Sequence, residues 1–311
     1  MNWIVVALSA YLLLAVANLL DKFLVDNVLR NSKAYAFAAC LLGAVIFLVS
    51  PWFLSWPGWI LFSFNILNGF IFAVALWMLY EGLRRGEAAR ILVFIGGLTP
   101  VFSLIFSLLF FKEHFTANQW RGMFCILVGV VIIILLPTAR SYLARVFKKL
   151  RLRQDVKTGG LVFAALSALA YSVYFLSTKQ AYAYQDFASA FIWTRLGAAL
   201  FVLFFLIKRS DRQAIISFWH KSSPRKNKFL VVSNQMLGAA GFILQNYAIY
   251  LGSVVLINAL QGAQYAFLLI ISTILALSAP RLLKETFVWK IFLQKVAAVA
   301  AIATGLYFIA F

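Results

Sequence analysis

Charged side chains are scarce in this chain: only 12% of its 311 residues are Asp, Glu, Lys or Arg, and nine are acidic. The two cysteines, Cys40 and Cys125, lie inside apolar runs and outside any CxxC spacing, so we expect no disulfide and no zinc site. The sequence contains no phosphate-binding loop, no His-rich cluster and no Ser-His-Asp order. These absences argue against an enzyme, against an ATP-driven pump and against a bound cofactor or metal.

Apolar residues fill the chain instead. They make up 64% of the sequence, and the mean hydropathy is +0.93. The apolar runs last about twenty residues, which is the length of a membrane-spanning helix, whereas barrel strands are about ten residues long and alternate in character. We therefore predict an all-α integral membrane protein with ten transmembrane helices. The predicted spans are residues 3–21, 34–51, 59–80, 89–111, 118–136, 160–178, 188–207, 229–250, 254–279 and 288–310.

The chain reads as two similar halves. Residues 1–137 and 159–311 each contain five predicted spans, and a basic linker, residues 138–158, joins them. A Lys-Glu pair precedes the last span of each half, as Lys112-Glu113 and Lys284-Glu285. Because each half has an odd number of spans, the two halves cross a membrane in opposite senses. The sequence therefore predicts two inverted five-helix repeats, a plan that places a solute site near the midplane between the halves.

The distribution of basic residues predicts the orientation. Of the 28 Lys and Arg residues, 23 lie in the loops that follow odd-numbered spans, and seven of these are in the linker. The positive-inside rule then places the odd loops in the cytoplasm and both termini outside. We expect the protein to lie in the plasma membrane. The net charge of +19 is explained by this topology. Nucleic-acid binding is the rival interpretation, but the basic residues are divided among five short loops, so we expect no nucleic acid as a partner.

A resemblance to a known family rests on particular residues. The stretch from Gly96 to Phe102 (GGLTPVF), then Gln119-Trp120-Arg121-Gly122 and Gly129, resembles the EamA-type half-repeat of the drug/metabolite transporter superfamily. The second half is similar but diverged, with Asn258 to Tyr265 (NALQGAQY) at the corresponding place and Gly305 near its end. The motifs are structural, so the resemblance implies a family of transporters and no particular solute.

Polar residues inside the predicted spans are the candidates for solute binding, because an unsatisfied polar group in hydrocarbon costs several kcal/mol. Span three carries Asn65 and Asn68 on one helical face, and span eight carries Gln245. Span nine carries an amide stripe with a tyrosine beside it, which consists of Asn258, Gln261, Gln264 and Tyr265. We predict that Gln261 and Gln264 face Asn65 and Asn68 across a shared cavity. The alternative is that these amides form hydrogen bonds between helices.

Two basic residues, Lys179 and Arg195, lie near the predicted outer ends of spans six and seven. They are further candidates for solute binding, although long basic side chains also reach the membrane surface to contact water or lipid head groups. Among the acidic residues, Asp21 and Glu81 fall at predicted cytoplasmic span ends and are interpreted as interfacial. Glu113 and Glu285 precede helices, where a negative charge is favoured, and are interpreted as helix caps.

The predicted function combines the polar residues with the resemblance. The residues indicate a polar path, and the family implies a secondary transporter that moves a small polar metabolite, such as an amino acid or a related compound, by alternating access. A lipid or lipid-head-group flippase or scramblase is the alternative, because an amide-lined groove could admit head groups. The expected partners are a small-molecule solute and membrane lipids.

The predicted topology can be tested with a reporter that is active only in the cytoplasm. We expect activity from a fusion inserted in the linker, because the linker follows an odd-numbered span, and none from a fusion to Phe311. Reporter activity from the Phe311 fusion would contradict the orientation inferred from the basic residues.

Overall fold

The computed structural model describes residues 3–28, 31–86, 88–111, 113–135, 159–219, 225–278 and 289–310. These residues are almost entirely helical, and no strand occurs among them. The helices of the first half are α1 (Trp3–Asn27), α2 (Ser32–Gly43), α3 (Trp59–Arg85), α4 (Ala88–Phe106) and α5 (Ala117–Leu135). Those of the second half are α6 (Gly159–Tyr182), α7 (Phe187–Leu203), α8 (Arg209–Trp219), α9 (Arg225–Leu251), α10 (Val254–Ala259), α11 (Gly262–Ser278) and α12 (Trp289–Ala310). The predicted all-α class is confirmed.

Each predicted span overlaps a helix, but three features differ from the prediction. Helix α1 continues to Asn27, past the expected end at residue 21. The loop expected after span seven contains the amphipathic helix α8. Span nine, expected to be continuous, is interrupted by a turn at Leu260 and Gln261. The predicted linker, residues 138–158, lies outside the described residues.

Several helices have the length and hydropathy of a membrane span. Five candidates meet both criteria among the described residues: Ser32–Phe53, Trp59–Arg85, Phe94–Phe111, Gly159–Tyr182 and Phe187–Leu206. The first of these joins α2 to a 3-10 segment, Ala44–Val49, and a short helical turn. Four shorter apolar helical segments accompany them: Trp3–Asn18, Ala117–Ile132, Val254–Leu268 and Val296–Ala310.

Helices from the two halves alternate in the packing. Helix α1 packs along α9, and correspondingly α6 packs along α3. The same exchange relates the α3–α7 contact to the contact between α9 and α2, and relates the α1–α11 contact to that between α6 and α4. Helices α5 and α12, the last of each half, pack against each other. Since these contacts cross from one half to the other, neither half forms a separate core.

Glycine permits the close contact between α5 and α12. A Cβ atom on Gly305 would lie 2.6 Å from the Gly122 carbonyl oxygen, and one on Gly122 would lie 2.8 Å from the Gly305 carbonyl oxygen. Both distances are too short for any side chain, so the two backbones approach as closely as they do only because both residues are glycine. Small residues serve this purpose in many packed membrane helices. The two glycines singled out in the sequence motif therefore join the two halves.

Loops predicted to share a side of the membrane contact one another. At the predicted cytoplasmic side, Lys33 Nζ at the start of α2 lies 2.8 Å from Asp211 Oδ2 on α8. Burial opposes ionisation of Asp211, but hydrogen bonds from Lys33 and Asn31 outweigh it and hold the pKa of this carboxyl below its ordinary value. At the opposite side, Ser189 Oγ in the first turn of α7 donates to the Ser55 carbonyl oxygen at 3.0 Å.

The glycine contact predicts a sharp effect of adding one methyl group. We expect Gly305→Ala to lower the melting temperature of the purified protein, because the new Cβ would meet the Gly122 carbonyl, at a cost of about 1–3 kcal/mol. Gly97→Ala is the control, since its Cβ would lie 3.6 Å from the nearest neighbouring atom, Val130 Cγ1. Equal melting temperatures for the two variants would show that α5 and α12 are not packed this closely.

Candidate functional site

A cavity of about 710 Å³ lies between the two halves. Its wall is mostly apolar and takes side chains from α1, α2, α3 and α4 of the first half and from α6, α7, α9 and α11 of the second. The cavity reaches the molecular surface beside Leu48 and Met236, which are 74% and 66% exposed. Five of the nine predicted binding residues line it: Arg195, Gln245, Gln261, Gln264 and Tyr265.

Arg195 lies in the middle of α7 rather than at its end, and only 5% of it is exposed. Its guanidinium Cζ lies 3.9 Å from the ring centroid of Phe72, 4.7 Å from that of Phe191 and 4.9 Å from that of Phe242. One Nη atom donates to the Tyr174 hydroxyl at 2.9 Å, whereas Nε has no partner among the described residues. Aromatic faces attract a guanidinium, so rings hold this cation, and no carboxylate of the described residues pairs with it.

The turn at Leu260 and Gln261 divides the predicted amide stripe. Asn258, on α10 before the turn, donates from Nδ2 to Ser103 Oγ of α4 at 2.8 Å and does not line the cavity. Gln261 and Gln264, at and after the turn, do line it. Among the described residues, the buried Gln261 Oε1 and Gln264 Nε2 atoms have no hydrogen-bond partner. The pattern of three evenly spaced amides did not reveal this break, which turns the first amide away from the other two.

The two other predicted residues that line the cavity are Tyr265 and Gln245. Each is held by hydrogen bonds that end at a backbone carbonyl, directly for Tyr265 and through the Tyr11 hydroxyl for Gln245. The Tyr265 hydroxyl donates to the Leu92 carbonyl oxygen of α4, and the ring fills the space left by Gly96, where a Cβ would lie 1.7 Å from that hydroxyl. Gln245 donates from Nε2 to the Tyr11 hydroxyl at 3.4 Å, and Tyr11 donates to the Ile257 carbonyl at 2.6 Å. Gly96, the first glycine of the sequence motif, thus provides the space for a cavity side chain from the other half.

Four predicted residues lie elsewhere. Asn65 and Asn68 are buried in α3 outside the cavity, and Asn65 Nδ2 donates to Gln185 Oε1 at 3.1 Å. The structure therefore does not bring them opposite Gln261 and Gln264, contrary to the prediction. Lys179 Nζ donates to the carbonyl oxygens of Ile249 and Tyr250 at the end of α9, at 2.9 and 3.0 Å. The C-terminal end of a helix favours a cation, which accounts for this position of Lys179. The fourth predicted residue outside the cavity is Asn258, described above.

Asp21 was not among the predicted binding residues, yet it lines the cavity. It is 6% exposed, and its Oδ1 accepts hydrogen bonds from the Tyr35 hydroxyl at 2.5 Å and from Asn234 Nδ2 at 2.7 Å. The interpretation of Asp21 as interfacial was wrong because α1 continues beyond it. A sequence signal was present, since Leu14, Ala17, Asn18 and Asp21 follow the helical period and all line the cavity.

Two other acidic residues have structural partners. Glu81 is buried near the end of α3, where it forms ion pairs with Arg84 and Arg85, each at 2.5 Å, and accepts a hydrogen bond from Ser32. Glu113 accepts a hydrogen bond from Ser107 Oγ at 2.6 Å and does not cap α5. That helix is capped reciprocally by Thr116 and Gln119, so the predicted capping role of Glu113 was wrong. Its counterpart Glu285 lies outside the described residues.

Known proteins resemble this chain in sequence and in fold. Residues 1–135 match the EamA-like transporter family. The predicted resemblance is confirmed over these residues, and together with the apolar helices it indicates a multi-pass membrane protein. The match suggests a membrane transporter. No curated protein matches the sequence. A solved structure described as "Crystal structure of protein" is similar with a TM-score of 0.65 at 16% identity, covering 98% of each chain. This likeness shows the fold alone, but it extends through the half that the EamA-like match does not reach.

The cavity can be tested by thiol labelling. In a Cys40→Ala/Cys125→Ala background, we expect Gln261→Cys to react with a small membrane-permeant maleimide, because Gln261 lines a cavity that reaches the surface. Asn68→Cys is the matched control and should stay unlabelled, since Asn68 is 1% exposed and lies outside the cavity. Faster labelling of Asn68→Cys than of Gln261→Cys would contradict the assignment of the cavity wall.

Proposed function

We propose that this protein is a secondary carrier that moves a small polar metabolite, such as an amino acid or a related compound, by alternating access. The observation that carries this proposal is a set of buried polar atoms in the wall of the central cavity that have no hydrogen-bond partner among the described residues. Arg195 Nε and Gln264 Nε2 are donors, and Gln261 Oε1 is an acceptor. A polar solute could satisfy these groups, whose desolvation is otherwise uncompensated.

The proposed architecture is ten membrane spans in two inverted five-helix repeats, residues 1–137 and 159–311. Two features support it. The principal contacts between the halves are preserved when each helix is exchanged for its counterpart, as in the α1–α9 and α6–α3 pairs. In addition, each half contributes an odd number of predicted spans, so similar halves would lie in opposite senses.

The proposed orientation places both termini outside the plasma membrane. The positive-inside rule carries this orientation, and the ion pair between Lys33 and Asp211 is consistent with it, because it joins two loops that the rule assigns to the same side. The contact between Ser55 and Ser189 likewise joins two segments assigned to the outer side.

Alternating access requires the halves to open the cavity to each side in turn. The broken helix between α10 and α11 supports this mechanism, because discontinuous helices commonly form the solute sites of secondary transporters. Gln261 lies at the break, and the main-chain N–H of Gln264 bonds back to the Gln261 carbonyl at 3.0 Å. A small change in this turn would move both amides relative to Arg195 on α7.

A lipid or lipid-head-group flippase or scramblase is the second candidate. One observation favours it: the cavity wall includes the exposed side chains of Leu48 and Met236, in helical segments predicted to cross the membrane. An opening there would face lipid chains, so a lipid could enter from the bilayer.

A transport screen separates the two candidates. The purified protein would be reconstituted in liposomes and tested with labelled amino acids, sugars, nucleotides and phospholipids. Uptake of a soluble solute without lipid flipping is the expected result. Flipping of labelled phospholipid without solute uptake would favour the lipid candidate. The absence of both solute uptake and lipid flipping would overturn the proposed function.

The two cavity glutamines provide a direct mutational test. We expect Gln261→Leu and Gln264→Leu each to reduce uptake at least tenfold, because the substitution keeps bulk and helix propensity while removing the hydrogen-bonding atoms. Gln180→Leu, the same substitution on α6 outside the cavity wall, is the control and should transport normally. Folding would be checked by size-exclusion chromatography. Normal uptake by the Gln261→Leu/Gln264→Leu double variant would contradict this role.

A further inference from the structure

We propose that the cavity selects a dipolar solute, with Arg195 binding its anionic group and Asp21 binding its cationic group. This inference rests on the proposed function, because it names the class of solute that the same cavity takes. It follows from two buried side chains, one basic and one acidic, that share one cavity and have no counterion among the described residues.

Arg195 needs an anion. Its partners are three aromatic rings and one tyrosine hydroxyl, and no carboxylate among the described residues lies within ion-pair distance of it. A buried cation is costly unless it is paired, and rings compensate only part of that cost. The unpartnered Nε and the fork geometry of the guanidinium suit a carboxylate or phosphate group.

Asp21 needs a cation. Its hydrogen bonds come from neutral donors: the Tyr35 hydroxyl, Asn234 Nδ2 and, at 3.5 Å, Gln235 Nε2. All three fall on Oδ1, and no described residue donates a hydrogen bond to Oδ2. Within the described part of the chain, no Lys or Arg forms an ion pair with this carboxyl group. An ammonium group in the cavity would supply both the missing charge and donors for Oδ2.

No ion pair joins Arg195 to Asp21, and aromatic side chains line the cavity beside each of them. The Phe72 ring, which Arg195 covers, packs against the Tyr171 ring with 6.3 Å between centroids. On the Asp21 side, the Tyr80 ring meets the Tyr35 ring at 4.6 Å. Phe72, Tyr171 and Tyr80 all line the cavity. These rings make the cavity wall suited to the apolar side chain of a solute.

Charge selectivity follows from this arrangement. A solute with a single negative charge would pair with Arg195 but would leave Asp21 unpaired in the same low-dielectric cavity. A solute with a single positive charge would have the reverse problem. A dipolar solute compensates both buried charges and leaves the net charge of the cavity unchanged.

The shared chemistry is an ammonium group and an acidic group on one molecule. Free amino acids have it, and so does the head group of phosphatidylethanolamine. A cavity of about 710 Å³ is within the usual range for sites that bind small molecules.

Binding to the purified full-length protein in detergent tests the inference without requiring transport. The probes are phenylalanine, which is dipolar, N-acetylphenylalanine, which is only anionic, and phenylalanine methyl ester, which is only cationic. Leucine and phosphoethanolamine extend the dipolar set. Affinity would be measured by ligand-induced thermal stabilisation. We expect at least one dipolar probe to bind, and we expect both singly charged phenylalanine derivatives to bind at least tenfold more weakly than phenylalanine. Absence of binding by every dipolar probe, or equal binding of the three phenylalanine compounds, would overturn the inference.

Charge-removing variants assign each group to its partner. Arg195→Gln should bind phenylalanine and its methyl ester equally, because the carboxylate no longer has a cation to meet. Asp21→Asn should bind phenylalanine and N-acetylphenylalanine equally. Arg121→Gln and Asp186→Asn are the matched controls. Arg121 is exposed, and Asp186 caps α7 in a role that Asn fills equally well, so both controls should keep the wild-type preference.

Two further measurements keep the test decisive. If Arg195→Gln fails to fold, Arg195→Lys retains a cation and should keep the preference for phenylalanine over its ester. Flipping of head-group-labelled phosphatidylethanolamine in liposomes, without amino-acid uptake, would identify the lipid as the source of the dipolar group. Binding of dipolar probes without any transport would overturn the proposed function and leave this inference standing. Transport of a sugar with no dipolar binding would do the opposite.

Discussion

A polar side chain in a membrane-spanning helix must meet a protein partner or a cavity, because the surrounding hydrocarbon offers it neither hydrogen bonds nor counterions. That constraint accounts for the interior of this protein. Asn258 and Lys179 find partners on neighbouring helices, and Asn65 finds one in the loop before α7. Among the described residues, Arg195 finds aromatic rings and one hydroxyl but no anion. Among the described residues, Arg195, Asn234, Gln261 and Gln264 each bring a buried polar atom without a partner to the cavity wall, so packing and solute binding meet there.

The close packing of the two halves determines where that cavity forms. Glycine allows the α5 and α12 backbones to touch at Gly122 and Gly305, and Gly96 on α4 admits the Tyr265 ring from the other half. These contacts hold together the region around α4 and α11. On the other side, between the segment Ala44–Val49 and α9, the halves are less tightly joined, and the cavity reaches the surface there. The motif glycines that carry the family resemblance thus shape the site without lining it.

Much of the fold was predictable from the sequence, because apolar runs of about twenty residues have few alternatives to helices. The positions of Gln264 and Arg195 in a shared cavity were also within reach, since strongly polar side chains in such runs must face inward. Features that depend on tertiary contacts were not. The sequence of helix α8 was interpreted as a charged loop, and its ion pair with Lys33, through Asp211, depends on the tertiary structure. The break at Gln261 is not marked by proline, and Asp21 was missed because the end of α1 was placed too early. The stripe formed by Asn65 and Asn68 indicates that their side chains face inward but does not indicate which neighbour they meet.

The central claim is that the space between the halves, bounded by Arg195 and Asp21, is the solute site. A structure of the protein in lipid nanodiscs with a transported solute bound would test it most directly. The account predicts solute density in the central cavity, with an acidic group at Arg195, an ammonium group at Asp21 and hydrogen bonds to Gln261 or Gln264. Solute density outside this cavity, with no contact between the solute and Arg195 or Asp21, would contradict the central claim.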